Sequence, residues 1–367
     1  MIEKTVYILV PNKHRLGGVF NYYSHIKKYL GRDYKYLYRG EKCKKEPKKV
    51  VPFRLLTDYV AFVDTLQKGG STVLINTSLG KGGFFRDGIY TLLTPRNYKK
   101  IVFFRGWNPT FEKKIGTSSL LKKWLKSTFL KADHIIVLSS AFKNRLIEWG
   151  YSGPITVETT LVDETLMQGE TWNSISEKRA DLSQTSLLYL GNVSKGKGVW
   201  EVVDSLKRLS FDGDSQRALL NVAGSGSDLG SLQKYTEENS LNVKFLGYVK
   251  ELKKVEAFKN AHLYLFASYH EGMPNSVLEA MAFGLPVITT RVGGIPDFFE
   301  DGKMGLFLDN RNPLHIAQKI QYLLDRPDLM QQISKYNFEY AKKHFYAVKV
   351  ARRFKDIVES VAKKRNA

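Results

Sequence analysis

Nine short apolar runs set the strongest constraint on the fold of this chain. Each is rich in Val, Ile, Leu, Phe and Tyr, and segments with helical spacing lie between them. Runs that are continuous rather than alternating predict strands buried on both faces, as in a parallel α/β sheet. The runs are TVYILV (5–10), TVLIN (72–76), KIVFF (100–104), HIIVL (134–138), SLLYL (186–190), ALLNVA (218–223), VKFL (243–246), LYLFA (263–267) and PVITT (286–290).

The runs fall into two series, which predicts two domains. A chain of 367 residues exceeds the size at which a single hydrophobic core usually stops growing, roughly 250–300 residues. Between the two series, residues 164–184 are polar and lack a clear period, as expected of a linker. We therefore predict Rossmann-like domains at 1–170 and 171–345, followed by a basic helix at 346–367.

Each series opens with a strand, a glycine-bearing loop and a helix. The loop glycines are Gly17 and Gly18 in the first series and Gly191, Gly196 and Gly198 in the second. Glycine lets backbone amides approach a ligand and a helix N-terminus favours an anion, so each loop is a candidate phosphate site; a tight turn is the alternative. Lys195 and Lys197 favour phosphate at the second loop, because a cation at a helix N-terminus is unfavourable without an anion.

Two glutamates flank the start of a predicted short helix. Pro274 fits its first position and Gly284 the position just past its end. Glu271 precedes this helix, and Glu279 lies about 7 Å along it at 1.5 Å per residue, away from its apolar face. With free amides between them, these carboxylates could bind the hydroxyls of a sugar-rich ligand that carries phosphates. The alternative is that both are solvated surface charges.

The stretch EGMPNSVLEAMAFGLPVITT (271–290), followed by VGGIPDFFEDGKMGLFL (292–308), resembles the E-x7-E region of retaining glycosyltransferases of family 4. The resemblance extends to LLYLGNVSKGKG (187–198), NVAGSGSDL (221–229), VKFLGYV (243–249) and FASYHEG (266–272). Their order and spacing agree with that family over residues 186–310, and the N-terminal half resembles it more loosely.

This resemblance implies the GT-B fold, in which two Rossmann-like domains face each other across a cleft and the C-terminal helix returns to the N-terminal domain. It also implies transfer of a sugar from a nucleotide diphosphate sugar with retention at the anomeric carbon, without a metal or other cofactor. By analogy, Glu271 would hold the donor sugar, Glu279 the ribose and Lys197 the diphosphate, so Glu271 and Lys197 are the catalytic candidates. The implied donor-binding residues are Gly17, Gly18, Gly191, Asn192, Lys195, Lys197, Gly224, Val249, Gly272, Met273, Pro274, Asn275, Ser276 and Glu279.

The chain departs from the family pattern at two positions. Asn192 stands where the family commonly has a phosphate-binding arginine, a role that Lys195 would take over. In FFRGWNP (103–109), Arg105 stands where the family often has a histidine near the sugar, so no catalytic histidine is carried over. Arg105, Trp107 and Asn108 are the candidates on the acceptor side.

Two further features are interpreted as structural. Asp212-Gly213-Asp214 has the D-x-D spacing that other glycosyltransferases use for metal, but its place between a helix and a strand favours a surface turn. Cys43 is the single cysteine, which excludes an internal disulfide.

The positive charge is concentrated in one half of the chain. Of the formal net charge of +21, residues 1–150 carry +19, with 29 Lys and Arg against 10 Asp and Glu. Such a field attracts anionic surfaces, and the resemblance places the acceptor on this half. Together with 41–49, 342–367 and the basic amphipathic segment 117–133, it predicts a cytoplasmic enzyme on the inner face of the membrane that acts on a lipid-linked or glycan acceptor. For the segment 117–133 alone, a core-facing helix with a solvated lysine face is the alternative.

Three other interpretations stay open. The charge suits a nucleic-acid-binding protein, although no nucleic-acid motif is visible and the prediction is that none binds. A GT-B nucleotide-sugar epimerase or an inactive sugar-nucleotide-binding protein would share the predicted fold. The sequence leaves the donor base, the sugar, the acceptor and the oligomeric state undetermined.

Overall fold

The computed structural model describes residues 5–12, 17–40, 47–178, 185–209 and 218–363. The chain forms two compact units. The first contains the residues up to Thr160 and those from Ala347 onward, and the second is Leu161–Tyr346. The division lies between residues 160 and 161, whereas the sequence predicts it near residue 170. Cys43, the pair Asp212 and Asp214, and most of 41–49 lie outside the described residues.

The first unit contains a six-stranded sheet in which every paired strand is parallel. Its strand order is β2-β1-β3-β4-β5-β6. The strands are β1 (Val6–Pro11), β2 (Tyr34–Arg39), β3 (Thr72–Leu79), β4 (Lys99–Trp107), β5 (His134–Val137) and β6 (Ile155–Val157). The connecting helices are α1 (Gly18–Ile26), α2 (Val51–Gln67), α3 (Lys81–Leu93), α4 (Pro109–Thr117), α5 (Ser119–Ser127) and α6 (Ser140–Glu148).

The second unit repeats this arrangement with the strand order β12-β11-β10-β7-β8-β9, again parallel. Its strands are β7 (Thr185–Leu190), β8 (Ala218–Ala223), β9 (Val243–Gly247), β10 (Leu263–Phe266), β11 (Val287–Thr290) and β12 (Gly305–Leu308). Its helices are α7 (Trp172–Lys178), α8 (Val199–Ser205), α9 (Leu229–Glu238), α10 (Glu251–Lys259), α11 (Asn275–Ala282), α12 (Pro313–Leu324) and α13 (Pro327–His344).

The C-terminal helix, α14 (Ala347–Lys363), belongs to the first unit, as predicted. The ring of Phe354 is 1% exposed and lies edge-to-face against Tyr22 and Tyr23, with centroid distances of 6.4 and 6.0 Å. Arg353 binds Glu158 through two hydrogen bonds of 2.9 and 3.0 Å. These contacts join α14 to the sheet and to α1.

The sequence correctly predicts all nine strands in the apolar runs. The central strands are buried because residues on both of their faces are apolar, so helices cover both faces of each sheet. Three strands were not predicted: β2, β6 and β12, each of which lies at the edge of its sheet. In a parallel sheet the loops after the strands gather at the edge where the carboxyl ends of the strands lie. In each unit, the predicted loop residues lie at this edge of that unit's own sheet.

Candidate active site

The site in the second unit lies where the strand order reverses. β7 and β10 are neighbours, but the chain leaves β7 toward β8 on one side and β10 toward β11 on the other. Such a reversal leaves a crevice at the carboxyl ends of the two strands, which is where open α/β sheets bind ligands. Lys197 follows β7 and Glu271 follows β10, so the topology brings these two side chains together although they are 74 residues apart.

Lys197 and Glu271 form an ion pair, with 2.6 Å between Nζ and Oε1. The same Oε1 accepts a hydrogen bond of 2.8 Å from the hydroxyl of Ser268. The glutamate side chain is 14% exposed and the lysine side chain 31% exposed, so both are reachable from solvent but largely enclosed. Within the described part of the chain, both contacts fall on Oε1, which leaves Oε2 to accept from a ligand hydroxyl.

Two glycines fix the backbone around this pair. Gly198 has φ 70°, and a Cβ there would lie 2.1 Å from the carbonyl oxygen of Ala267. Gly293 has φ 57°, and a Cβ there would lie 2.3 Å from the carbonyl oxygen of Gly272. Both positions require glycine, because an L-residue is disfavoured in the left-handed region and these contacts involve backbone. The close approach places Lys197 and Glu271 at a defined separation.

Polar contacts hold the two loops from outside. Arg311 donates to the carbonyl oxygens of Ala267 and Ser268 at 3.2 and 3.1 Å, at the end of β10. Asp228 accepts from the backbone N–H of Lys195 at 2.7 Å, within the loop after β7. Hydrogen bonds from the Ser227 hydroxyl and the Trp200 indole N–H, and then that from Lys195, hold the pKa of Asp228 below its ordinary value. Asp228 therefore stabilises this loop as a carboxylate.

Helix α11 has the predicted ends. It begins at Asn275, one residue after Pro274, and Gly284 follows its end with φ 68°. The N–H of Leu285 donates to Ala280 and that of Gly284 to Met281, which closes the helix in a Schellman arrangement. The start of this eight-residue helix comes directly after the loop of Glu271, so its first-turn amides lie at the carboxyl edge of the sheet.

Glu279 is not the solvated charge that the alternative interpretation supposed. It is 7% exposed, and its Oε1 lies 2.5 Å from Nζ of Lys254 on α10. A buried carboxylate needs such a partner, because desolvation of an isolated charge is costly. Whether Glu279 also binds a ribose stays a prediction.

A cavity of about 190 Å³ adjoins the glycine loops of the second unit. Gly191, Asn192, Gly224, Tyr248 and Val249 all line it, which brings together four of the predicted donor-binding residues. Tyr248 is 70% exposed, and Nζ of Lys250 lies over its ring, 5.1 Å from the centroid. No arginine lines this cavity, so the family's usual phosphate contact is absent from its wall among the described residues.

The predicted residues of the first unit separate into two groups. Gly17, Gly18 and Arg105 line one cavity of about 450 Å³. Trp107 and Asn108 have structural partners: the indole stacks on Phe142 at 4.4 Å, and Asn108 Oδ1 caps α4 by accepting from the N–H of residue 111 at 2.8 Å. Of the three acceptor-side candidates, the structure places Arg105 in the cavity.

Sequence reasoning missed three residues that support the site. Ser268 binds Glu271, Lys254 binds Glu279, and Arg311 binds the end of β10. Ser268 lies three positions before Glu271 and follows a buried strand, a local signal that could have been noticed. The two cations come from distant segments, so nothing in the local sequence indicates their partners.

No group of three His, Cys, Asp or Glu side chains that could hold a metal ion occurs within the described ranges. The described helices also include none with the length and apolar character needed to cross a bilayer.

Parts of this chain are similar in sequence to glycosyltransferases. The family model described as "Glycosyl transferases group 1" matches residues 170–340. An uncharacterized glycosyltransferase of Methanocaldococcus jannaschii is 28% identical over 240 residues, which is 64% of this chain and 60% of that protein. The capsular polysaccharide biosynthesis glycosyltransferase CapM of Staphylococcus aureus is 27% identical over 223 residues, or 59% of this chain and 53% of CapM. The matches thus span little more than half the length of these curated relatives.

The fold is shared over almost the whole chain with a solved structure. The Anabaena protein HepE, crystallised with UDP, aligns with a TM-score of 0.75 and 15% identity over 97% of this chain and 100% of the HepE chain. The two parallel six-stranded sheets match this fold, which is GT-B. Residues 170–340 are thus similar to the glycosyl transferases group 1 family, and the chain has the GT-B fold.

Proposed function

We propose that this protein is a retaining, metal-independent hexosyltransferase that moves a sugar from a nucleotide diphosphate sugar to a lipid-linked or glycan acceptor. The observation that carries the proposal is the Lys197–Glu271 pair at the strand reversal of the second unit. The glycosyl transferases group 1 match covers the same segment and supports it. HepE was crystallised with UDP, which makes UDP-sugars the first donors to test.

The chemical demand is the departure of an anionic nucleotide diphosphate from an oxocarbenium-like centre. Lys197 would stabilise the charge that develops on the leaving diphosphate, and the first-turn amides of α11 would add oriented donors. Since these groups are held in place before reaction, they need little reorganisation as the charge develops. Binding of the diphosphate would draw Lys197 from Glu271 and leave the glutamate to accept from sugar hydroxyls.

Glu271 would position the sugar rather than attack it. The Ser268 hydroxyl holds Oε1 at 2.8 Å, so the carboxylate keeps its orientation when Lys197 turns to the diphosphate. With the ring held, the acceptor hydroxyl would attack the anomeric carbon on the face that the nucleotide leaves and give its proton to an oxygen of the departing diphosphate, which gives retention. The proposal requires no covalent nucleophile.

A ligand screen followed by an activity assay tests this proposal. Thermal shifts with UDP-, GDP-, ADP- and CDP-linked sugars identify the donor, because a ligand that binds the native state raises its stability by mass action. Hydrolysis or transfer of that donor is then measured with Glu271→Ala and with Glu238→Ala, an exposed glutamate of α9. We expect a loss of about 10²-fold or more for the first variant and no change for the second.

The outcomes separate the competing functions. Donor binding without turnover would indicate an inactive sugar-nucleotide-binding protein. Conversion of the donor to its epimer without an acceptor would indicate an epimerase. No shift with any nucleotide sugar would refute the proposal, and added EDTA tests metal independence directly.

We place the proposed membrane contact on α2 rather than on the segment 117–133. In α5 most of the apolar face packs inward: Leu125 is fully buried, and the Trp124 indole donates to the carbonyl oxygen of Phe84 at 3.2 Å, although Leu120 is 78% exposed. On α2, by contrast, an apolar stripe is open to solvent. Its members are Phe53 (71% exposed), Leu56 (60%) and Val60 (61%).

An anionic bilayer suits this stripe because residues 1–150 carry +19. Apolar insertion and attraction of lysines to acidic headgroups contribute together, at about 1 kcal/mol for each lysine near the surface. Flotation with phosphatidylglycerol vesicles at low salt tests the proposal. We expect Phe53→Ser with Leu56→Ser to lose binding and Leu252→Ser, 77% exposed in the second unit, to keep it; equal flotation of both variants would remove α2 from the contact.

A further inference from the structure

The cavity of the first unit lies at that unit's own strand reversal. β1 and β3 are neighbours in the sheet. The chain leaves β1 toward β2 on one side and leaves β3 toward β4 on the other side. The cavity, of about 450 Å³, is lined by the ends of β1, β2, β3 and β4 and by the beginnings of α1 and α3. It therefore occupies the place in this sheet where α/β proteins bind ligands.

The described residues that line this cavity include three arginines and one aspartate. Asp87, fully buried, binds Arg39 at 3.1 Å and Arg86 at 2.8 Å. A single carboxylate thus serves two guanidinium groups. With Arg105 added, the described charged groups lining the cavity carry a net charge of +2.

Among the described residues, no ion pair joins Arg105 to a carboxylate, and its side chain hydrogen-bonds to Tyr22. Its guanidinium lies over the rings of Tyr22 and Phe103, 3.9 and 4.4 Å from their centroids. Its Nη1 is buried without a hydrogen-bond partner in the described part of the chain. Glu158, a carboxylate whose charge acts on Arg105, is already bound by Arg353. Burial lowers the pKa of Arg105, which means that an anion beside it would relieve an unfavourable environment.

The N-termini of two helices add backbone N–H groups, which carry partial positive charge. Helices α1 and α3 both start with glycine caps that offer no side chain, and neither has an acidic residue in its first turn. Gly18 and Gly82, from these first turns, line the cavity. The positive ends of both helices thus face a space without an acidic cap.

We propose that this cavity binds a phosphoryl group carried by the acceptor. Arginine forks and first-turn amides together match the several oxygens and the double charge of a phosphate monoester, which a planar carboxylate offers only in part. The assignment rests on the proposed glycosyl transfer, narrows its acceptor to phosphorylated compounds, and moves Gly17 and Gly18 from the predicted donor-binding residues to the acceptor side. The phosphate is that of a lipid headgroup or of a soluble sugar or polyol phosphate.

Phosphate binding is tested without any transfer assay. Inorganic phosphate is titrated calorimetrically, in a phosphate-free buffer of low salt, into wild type, Arg105→Gln and Arg32→Gln, an exposed control in the same unit. Loss of one charged hydrogen-bonding group predicts affinity at least about 10-fold weaker for Arg105→Gln and unchanged affinity for the control. Equal binding by all three proteins would overturn the proposal. If Arg105→Gln does not fold, Arg86→Gln, whose side chain is 25% exposed, must show the same loss.

A second titration shows whether the cavity binds the acceptor or the donor. The nucleotide sugar identified by thermal shift is titrated into the same proteins, and its affinity should be unchanged in Arg105→Gln. A parallel loss of donor affinity would assign the cavity to the donor diphosphate and overturn the proposal. If no nucleotide sugar binds at all, the proposed function fails, whereas the phosphate titration still reports on the cavity.

Competition then distinguishes the two sources of phosphate. Inhibition of transfer by glycerol 3-phosphate indicates a soluble acceptor, and inhibition only by vesicles containing phosphatidic acid indicates a lipid acceptor. Either result supports a phosphate site, and inhibition by neither would refute it.

Discussion

Replacing Gly198 by alanine tests how the backbone positions the Lys197–Glu271 pair. A Cβ at this position would lie 2.1 Å from the carbonyl oxygen of Ala267, and the residue has φ 70°. The substitution adds one methyl group and changes no charge. Any effect therefore reports on backbone geometry.

The structure sets the size of the effect. An L-residue in the left-handed region costs about 1–2 kcal/mol. Carbon and oxygen atoms approach to about 3.3 Å in favourable contacts, so the loop and the end of β10 must separate by about 1 Å. Strain of this kind brings the total destabilisation to about 3 kcal/mol. A misplacement of about 1 Å also lowers catalytic efficiency by about 10²-fold.

Gly196→Ala provides the matched control, two residues away in the same loop. No atom lies within 4 Å of a Cβ there, and φ is not in the left-handed region. We expect its stability to stay within about 0.5 kcal/mol of wild type. Urea unfolding followed by circular dichroism gives the stabilities, and kcat/KM for the identified donor gives the functional effect. Equal stability and activity of the two variants would refute the reasoning.

Three further predictions concern other parts of the chain. Lys254→Met should lower the free energy of unfolding by about 2 kcal/mol, less than the 3–5 kcal/mol for breaking a fully buried pair, because Lys254 is 22% exposed. Adding Glu279→Gln should recover part of this loss in urea unfolding, and no recovery would contradict the role of the pair. The folded-state pKa of Asp228 is lowered. Its stabilisation is therefore complete above the unfolded pKa of about 3.9 and is lost as the pH falls through the folded pKa. The difference in stability between wild type and Asp228→Asn should shrink below about pH 4, and a constant difference would exclude this role. Phe354→Ala should lower the unfolding free energy by about 3–5 kcal/mol, whereas Val348→Ala, on the exposed side of α14, should cost less than about 0.5 kcal/mol; similar urea midpoints would show that α14 contributes little.

Strands buried on both faces could be predicted from the sequence because their apolar runs are continuous. The three unpredicted strands lie at sheet edges. β12 has the buried apolar sequence GLFL and could have been predicted by the same rule, whereas β2 and β6 could not. β2, with the sequence YKYLYR, places lysine and arginine among tyrosines, and β6 has only three residues. Their pairing depends on the neighbouring strand, which local sequence does not reveal.

The candidate site shows the same division between local and long-range information. Pro274 and Gly284 marked the ends of α11 because turn and cap chemistry is local. The partners of Glu271 and Glu279 could not be predicted, because Lys197 and Lys254 reach them through the topology of the sheet. The spacing of segment 117–133 indicated an apolar face, but not that Leu125 and Trp124 of that face pack inward, Trp124 against α3.

Calorimetric titration of the identified nucleotide sugar tests the central claim, that Lys197 of the Lys197–Glu271 pair binds its diphosphate. The comparison is among wild type, Lys197→Met and Lys234→Met, an exposed lysine of α9 that also pairs with a glutamate. We predict donor affinity at least about 10-fold weaker for Lys197→Met and unchanged for Lys234→Met. Equal affinities in all three proteins would contradict the account.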